Sequence, residues 1–239
     1  LELLADLPHL PEADTQWCAI LPRVWRDRDE PALRTLLERA RALGFTGVLI
    51  GNLGHLPLVR GLNFHLYGDY GLNVFNSRSL AYLKDKELES ACVSFELRFA
   101  QIRDLKKVLR AEAIVYGRLP LMITENCLVQ NETGCRLDRQ GPCVPEDGPC
   151  RCGQPNVLVD RTGAAFPLLP AYGHRTEIQN SKPLYLADRP EHRRLGLAYA
   201  RLRFTTETAE ECVSVVQNYL DAAPAAGDFT RGLYERGVE

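Results

Sequence analysis

Five of the eight cysteines in this 239-residue chain fall in one segment, Cys127, Cys135, Cys143, Cys150 and Cys152. Clustered thiols in a reducing compartment more often hold a metal than form disulfides. Ligation needs deprotonated soft donors gathered by short spacings or a hairpin. Cys150-Arg151-Cys152 is too tight for both thiolates to face one mononuclear ion, so one of that pair points away. The string "CGQPNVLVDRTGAAFPL" reads as strand, turn at Arg161-Thr162-Gly163, and strand. This hairpin returns "YGHRTEIQNS" beside Cys152 and makes His174 a candidate fourth donor. Cys127, Cys135, Cys152 and His174 give three thiolates and an imidazole, a set that zinc accepts in closed tetrahedral sites. A [4Fe-4S] cluster prefers four thiolates, and Cys143 or Cys150 is available to replace His174.

The other cysteines have plainer readings. Cys18 and Cys92 lie in the apolar runs "WCAILPRV" and "ACVSFEL", and Cys212 in a helical stretch; all three read as small packed hydrophobes. His55 and His65 have no cysteine or carboxylate companions at ligand spacing. No Gly-x-Ser-x-Gly, His-Glu-x-x-His or phosphate-binding glycine loop occurs.

The elements that must carry these residues alternate. "WCAILPRV" predicts a strand, "DEPALRTLLERARAL" a helix, "GFTGVLIGNLG" a strand joined by a connection to "YGLNVFN", "SRSLAYLKDKEL" a helix and "SACVSFEL" a strand. "RFAQIRDLKKVLR" predicts an amphipathic helix, "AEAIVYGRLPLMI" one strand, and "LAYARLRFTT" leads into the helix "TAEECVSVVQNYLDA". Repeated strand–helix units imply an α/β fold with a largely parallel sheet. A dinucleotide fingerprint is absent, since "GNLG" is too short. The expected fold is therefore a TIM-barrel-like parallel sheet, incomplete over these residues, with an appended cysteine-bearing β-hairpin. Its organisation reads as a barrel-like part over 1–126, a metal-binding loop and hairpin over 127–180, and a last strand–helix unit over 181–239 in the same domain.

In such folds the reactive face lies at the C-terminal ends of the strands. That rule nominates Arg23, Asn52, Asn73, Asn76, Glu96, Tyr116 and Glu125. Asn52, Asp69, Asn73, Glu96 and Glu125 are the candidate catalytic set, with Glu96, at the end of "VSFEL", foremost as an acid–base carboxylate. For each of these residues ordinary capping, loop hydrogen bonding or a salt bridge is the competing role.

Net charge is −2, which favours neither nucleic acid nor membrane in bulk, and no apolar run reaches the ~20 residues of a bilayer span. The start, without Met, basic region or signal core, reads as cut from a longer chain, and a cytoplasmic location is expected.

Several strings taken in order, "LPRVWRD", "GFTGVLIGNLGHL", "LYGDYGLNVFNS", "SFELRFAQI", "AIVYGRLPLMITENC", "LVDRTGAAFPL", "EIQNSKPLYLADR" and "FTRGLYERGVE", resemble the C-terminal part of long members of the collagenase-like peptidases, family U thirty-two. The resemblance implies a barrel-like α/β fold with a cysteine cluster after the penultimate barrel strand. It implies two activities: a peptidase of unassigned catalytic type, or an oxygen-independent hydroxylase of tRNA, ribosomal RNA or a quinone precursor that uses a [4Fe-4S] cluster. By the same resemblance Cys127, Cys135 and Cys152 match the first three family cysteines. His174 stands at the fourth place, and the segment with Cys143 and Cys150 is an insertion. The expected partners are the rest of a longer parent chain and an RNA or peptide substrate, with no membrane. The alternative to an enzyme is a non-catalytic module whose cysteine hairpin staples a fold that docks another domain or an RNA.

Overall fold

The computed structural model describes residues 15–133, 151 and 154–238. The chain divides into two compact units, one drawn from Leu1–Ile114, Pro190–Arg201 and Gly232–Glu239, the other from Val115–Arg189 and Leu202–Arg231.

The first unit is a mixed α/β half-barrel of the TIM-like kind with a curled parallel sheet. Its strands are β1 (Cys18–Ile20), β2 (Gly47–Ile50), β3 (His65–Gly68), β4 (Ser90–Cys92) and the first part of β5 (Arg110–Gly117), paired in that order and all parallel. Helix α1 (Glu30–Ala42) opens with Pro31 in its first turn and buries Leu33, Leu37 and Ala40, a spacing that puts all three on one face. Helix α3 (Ser77–Asp85) is capped by Asn76, whose Oδ1 accepts from the amides of Arg78 and Ser79 at 3.0 Å, and buries Leu80 and Leu83. Helix α4 (Phe99–Asp104) stops well short of the predicted stretch. Strand alternation divides the sheet into two faces. Ala19, Val48, Ile50, Ala91 and Ala111 form a buried apolar face. The opposite face carries Cys18, Tyr67, Asp69, Ser90, Cys92 and Glu112, a polar series unusual for a parallel sheet.

Two sequence readings are corrected here. The stretch from His55 to Gly68, read as a connection, contains helix α2 (His55–Val59) and β3. Its polar and glycine residues hide the strand, because only Gly68 among its four residues is buried. The run "AEAIVYGRLPLMI" is two strands rather than one: β5 ends at Gly117 and β6 (Pro120–Thr124) joins a different sheet. Gly117 makes the break, with φ of +114° and a Cβ position that would overlap the Arg203 carbonyl.

The second unit holds a four-stranded antiparallel sheet in the order β6, β9 (Arg175–Gln179), β8 (Ala165–Ala171), β7 (Asn156–Val159). The predicted hairpin is β7–β8, turned on Asp160, whose Oδ1 accepts from the Thr162 and Ala164 amides at 2.8 and 3.0 Å. Whether it bears a ligating cysteine lies outside the described residues. Short β10 (Leu184–Tyr185) runs antiparallel to the end of β5. The core here is aromatic: Tyr116 and Tyr185 pack with Phe204, Tyr219 and Phe229. The Tyr219 hydroxyl donates to the Val115 carbonyl at 2.5 Å and accepts from the Leu186 amide at 2.8 Å. Helix α5 (Leu128–Thr133) follows β6, β11 (Tyr199–Arg203) lies beside β5, and α6 (Ala209–Asp221) starts at a reciprocal Thr208–Glu211 capping box. No helix among the described residues is long and apolar enough to cross a membrane.

Candidate functional site

Strand register builds the site in the first unit. Gly68 pairs with Ala91, and Cys92 pairs with Glu112, so Asp69, Cys92 and Glu112 share one row on one face. β2 ends at Ile50 opposite Gly68, and β1 at Ile20 opposite Leu49. The row therefore lies where β1 to β4 run out, the end at which barrel enzymes place their chemistry. Arg201, on β11, forms ion pairs with both Asp69 and Glu112. All three side chains are largely buried, at 17%, 10% and 14% exposure for Arg201, Asp69 and Glu112. The Tyr70 amide donates to the same Asp69 oxygen at 2.8 Å.

Two carboxylates face one guanidinium, and their desolvation shapes the proton affinities. Burial pushes the Glu112 carboxyl above its ordinary range, with Arg201 opposing only in part. Burial also works to discharge Arg201, but the Glu112 and Asp69 carboxylates outweigh it and hold the guanidinium charged. Burial pushes the Cys92 thiol far up, so it is a neutral packed group and not a thiolate.

Beside the row, the ends of β1 and β2 meet at a buried histidine. His55 Nε2 lies 3.1 Å from the Pro22 carbonyl, which can only accept, so the ring proton is on Nε2. Its Nδ1 is buried without a hydrogen bond, and burial lowers the imidazole pKa to about 4. Next in the chain, the Arg23 guanidinium lies over the Tyr70 ring, 5.6 Å from its centroid.

The candidate catalytic residues fall in different places. Asp69 is in the ionic cluster. Asn52 accepts from the Gly54 amide at 2.8 Å and donates to the Arg23 carbonyl at 3.4 Å, while Asn73 closes the 3-10 turn Tyr70–Leu72 in a left-handed conformation. Glu96 sits half-buried in the turn after β4, its amide donating to Ser94 Oγ at 3.3 Å. Glu125, in the second unit, pairs with buried Arg175 at 3.0 Å and is 59% exposed. Glu112 and Arg201 were not singled out by the sequence reading. The available signal was a charge inside a short strand-like run, Glu112 in "AEAIVYG" and Arg201 in "YARLR".

Among the metal candidates, Cys127 is buried just beyond β6, and the next amide, Leu128, donates to Thr176 Oγ1 at 3.0 Å. His174 is half-buried in the β8–β9 turn with φ of +59°. Cys135 and Cys152, like Cys143 and Cys150, lie outside the described residues. The antiparallel register brings the end of β6 (Thr124 beside Thr176), the end of β8 (Ala171 beside Arg175) and the start of β7 to one end of the sheet. Among the described residues no group of three or more His, Cys, Asp or Glu is placed to hold a metal.

Residues 7–157 match the sequence model of Peptidase family U32, and the chain belongs to that family. No curated protein and no solved structure matches it.

Proposed function

We propose that this chain is part of a peptide-hydrolysing enzyme carrying a zinc ion on Cys127, Cys135, Cys152 and His174. The family supports the reaction class. The observation that supports the metal reading is the shared sheet end: Cys127 follows β6 there, His174 turns β8 into β9 there, and Cys152 precedes β7 by four residues in the sequence. Three thiolates and an imidazole form a closed zinc site, which staples a fold and does not activate water. Proton transfer then falls to the first unit, where Glu112, with its raised proton affinity, is suited to general acid–base work and Arg201 to holding a developing negative charge. β1 has a strand neighbour on one side only among the described residues, and Ile20 on it is 59% exposed. Completion of the half-barrel by the rest of a longer parent chain fits both observations.

The test is metal analysis and an absorption spectrum on anaerobically purified protein, followed by peptide cleavage assays on Glu112→Gln. Colourless protein with one zinc per chain, losing the metal in Cys127→Ser and His174→Ala, is the expected result. Brown protein that keeps its metal in His174→Ala but loses it in Cys143→Ser or Cys150→Ser replaces this reading with an iron–sulfur enzyme acting on RNA. Peptide cleavage unaffected by Glu112→Gln removes that residue from the chemistry.

A further inference from the structure

Arg23 is held closely for a side chain whose charged end has no ionic partner among the described residues. Its chain neighbour Pro22 is fixed through the carbonyl by His55 Nε2 at 3.1 Å, and its own carbonyl accepts from Asn52 Nδ2 at 3.4 Å. Its aliphatic stem runs between two glycines. A Cβ on Gly51 would meet Arg23 Cγ at 3.8 Å, and one on Gly71 would meet Arg23 Cδ at 2.9 Å and the Gly51 carbonyl at 2.6 Å. The bare backbone at Gly71 is what lets the loops after β2 and β3 close around the stem. The guanidinium then rests over the buried Tyr70 ring, 5.6 Å from its centroid. Among the described residues no carboxylate lies within ion-pairing distance of it. Asp69, whose Oδ2 lies 3.7 Å from where a Cβ on Gly51 would be, pairs through its other oxygen with Arg201.

The position matters as much as the freedom. Arg23 follows β1 at the strand end where β2 and β3 also terminate. A guanidinium pre-positioned by main-chain bonds, glycine walls and an aromatic floor loses little entropy on engaging a planar or tetrahedral oxyanion. We infer that Arg23, on its Tyr70 floor, is the anchor of an anion subsite at the mouth of the half-barrel, taking a carboxylate or phosphate group of the substrate through its fork of N–H donors. The inference rests on the first unit alone and stands whether or not the second unit holds a metal.

The experiment is a titration of the full chain followed by the side-chain Nε–Hε resonances of arginine. The probes are inorganic phosphate, triglycine with its free carboxylate, and triglycine amide. Saturable shifts at Arg23 are expected with phosphate, with triglycine, or with both, and none with triglycine amide. Phosphate alone points to a phosphorylated or nucleic-acid ligand, and triglycine alone to a peptide carboxylate. Arg103, exposed and paired with Asp104 at 2.8 Å, serves as the internal control. Arg23→Gln should weaken binding roughly tenfold or more, and Arg23→Lys, which keeps the charge and loses the fork, should weaken it by a smaller factor. Equal shifts at Arg23 and Arg103, equal binding of the amide, or affinity unchanged in Arg23→Gln overturns the inference. Should Arg23→Gln fail to fold, the wild-type shifts and the lysine variant decide it.

Discussion

Arg201 and Asp69, 132 residues apart in the sequence, form a buried ion pair that places a late strand residue in the row where the early strands end. Glu112 completes the cluster from the neighbouring strand. Removing the guanidinium leaves two buried carboxylates without their counter-ion, the expensive way to break such a group. Arg201→Met is expected to lower stability by about 3–5 kcal/mol, read as the midpoint shift in urea denaturation.

The Glu112 carboxyl has a raised proton affinity in the folded state, first because of burial. A raised carboxylate value means that its contribution is fully present at low pH and is lost as pH rises through the folded value. The wild type should therefore lose stability relative to Glu112→Gln as pH rises from acidic toward neutral. A wild type that gains stability relative to that variant over the range would contradict the assignment.

His55 works in the opposite sense. Its folded value is about 4, against an ordinary 6.5, because burial disfavours the cation. Stability from this group is present above pH 6.5 and is lost as pH falls from 6.5 toward about 4. The loss is on the order of 3 kcal/mol. His55→Gln, which can still donate to the Pro22 carbonyl, should flatten that acid limb in denaturation curves, and an imidazole titration near the ordinary value in the wild type would refute it.

At α6 the Thr208 hydroxyl accepts from the Glu211 amide at 3.3 Å, and Glu211 returns a bond to the Thr208 amide at 2.7 Å. Thr208→Ala should cost about 1 kcal/mol, and Thr208→Asp should cost little, as measured by thermal or chemical unfolding.

Local signals carried much of this architecture. The apolar spacing of Leu33, Leu37 and Ala40 announces α1, the glycine-bounded "GVLI" announces β2, and the Asp160–Gly163 turn announces the β7–β8 hairpin. What they could not carry is pairing at a distance. Asp69 is visible as a polar residue after a strand, but nothing near it names Arg201. Glu96 looked terminal to its strand in sequence, whereas β4 stops four residues earlier, at Cys92, and leaves Glu96 in a turn. The capping roles of Asn52 and Asn73 show why polar residues at strand ends are ambiguous, since loop geometry and chemistry draw on the same residue types.

The contacts around Gly71 also set the order in which this surface can evolve. A methyl group there meets two obstacles of different kinds, the Arg23 stem and the Gly51 carbonyl. A shorter residue at position 23 removes the first and leaves the second, because main chain does not mutate away. Position 71 is thus closed to substitution from every genetic background that keeps these two loops at their present spacing. Gly51 is different: a methyl group there would touch nothing nearer than 3.7 Å, so alanine is accessible in a single step. Variation at this mouth must enter through residues 23 and 51 before any lengthening of the loops can free position 71.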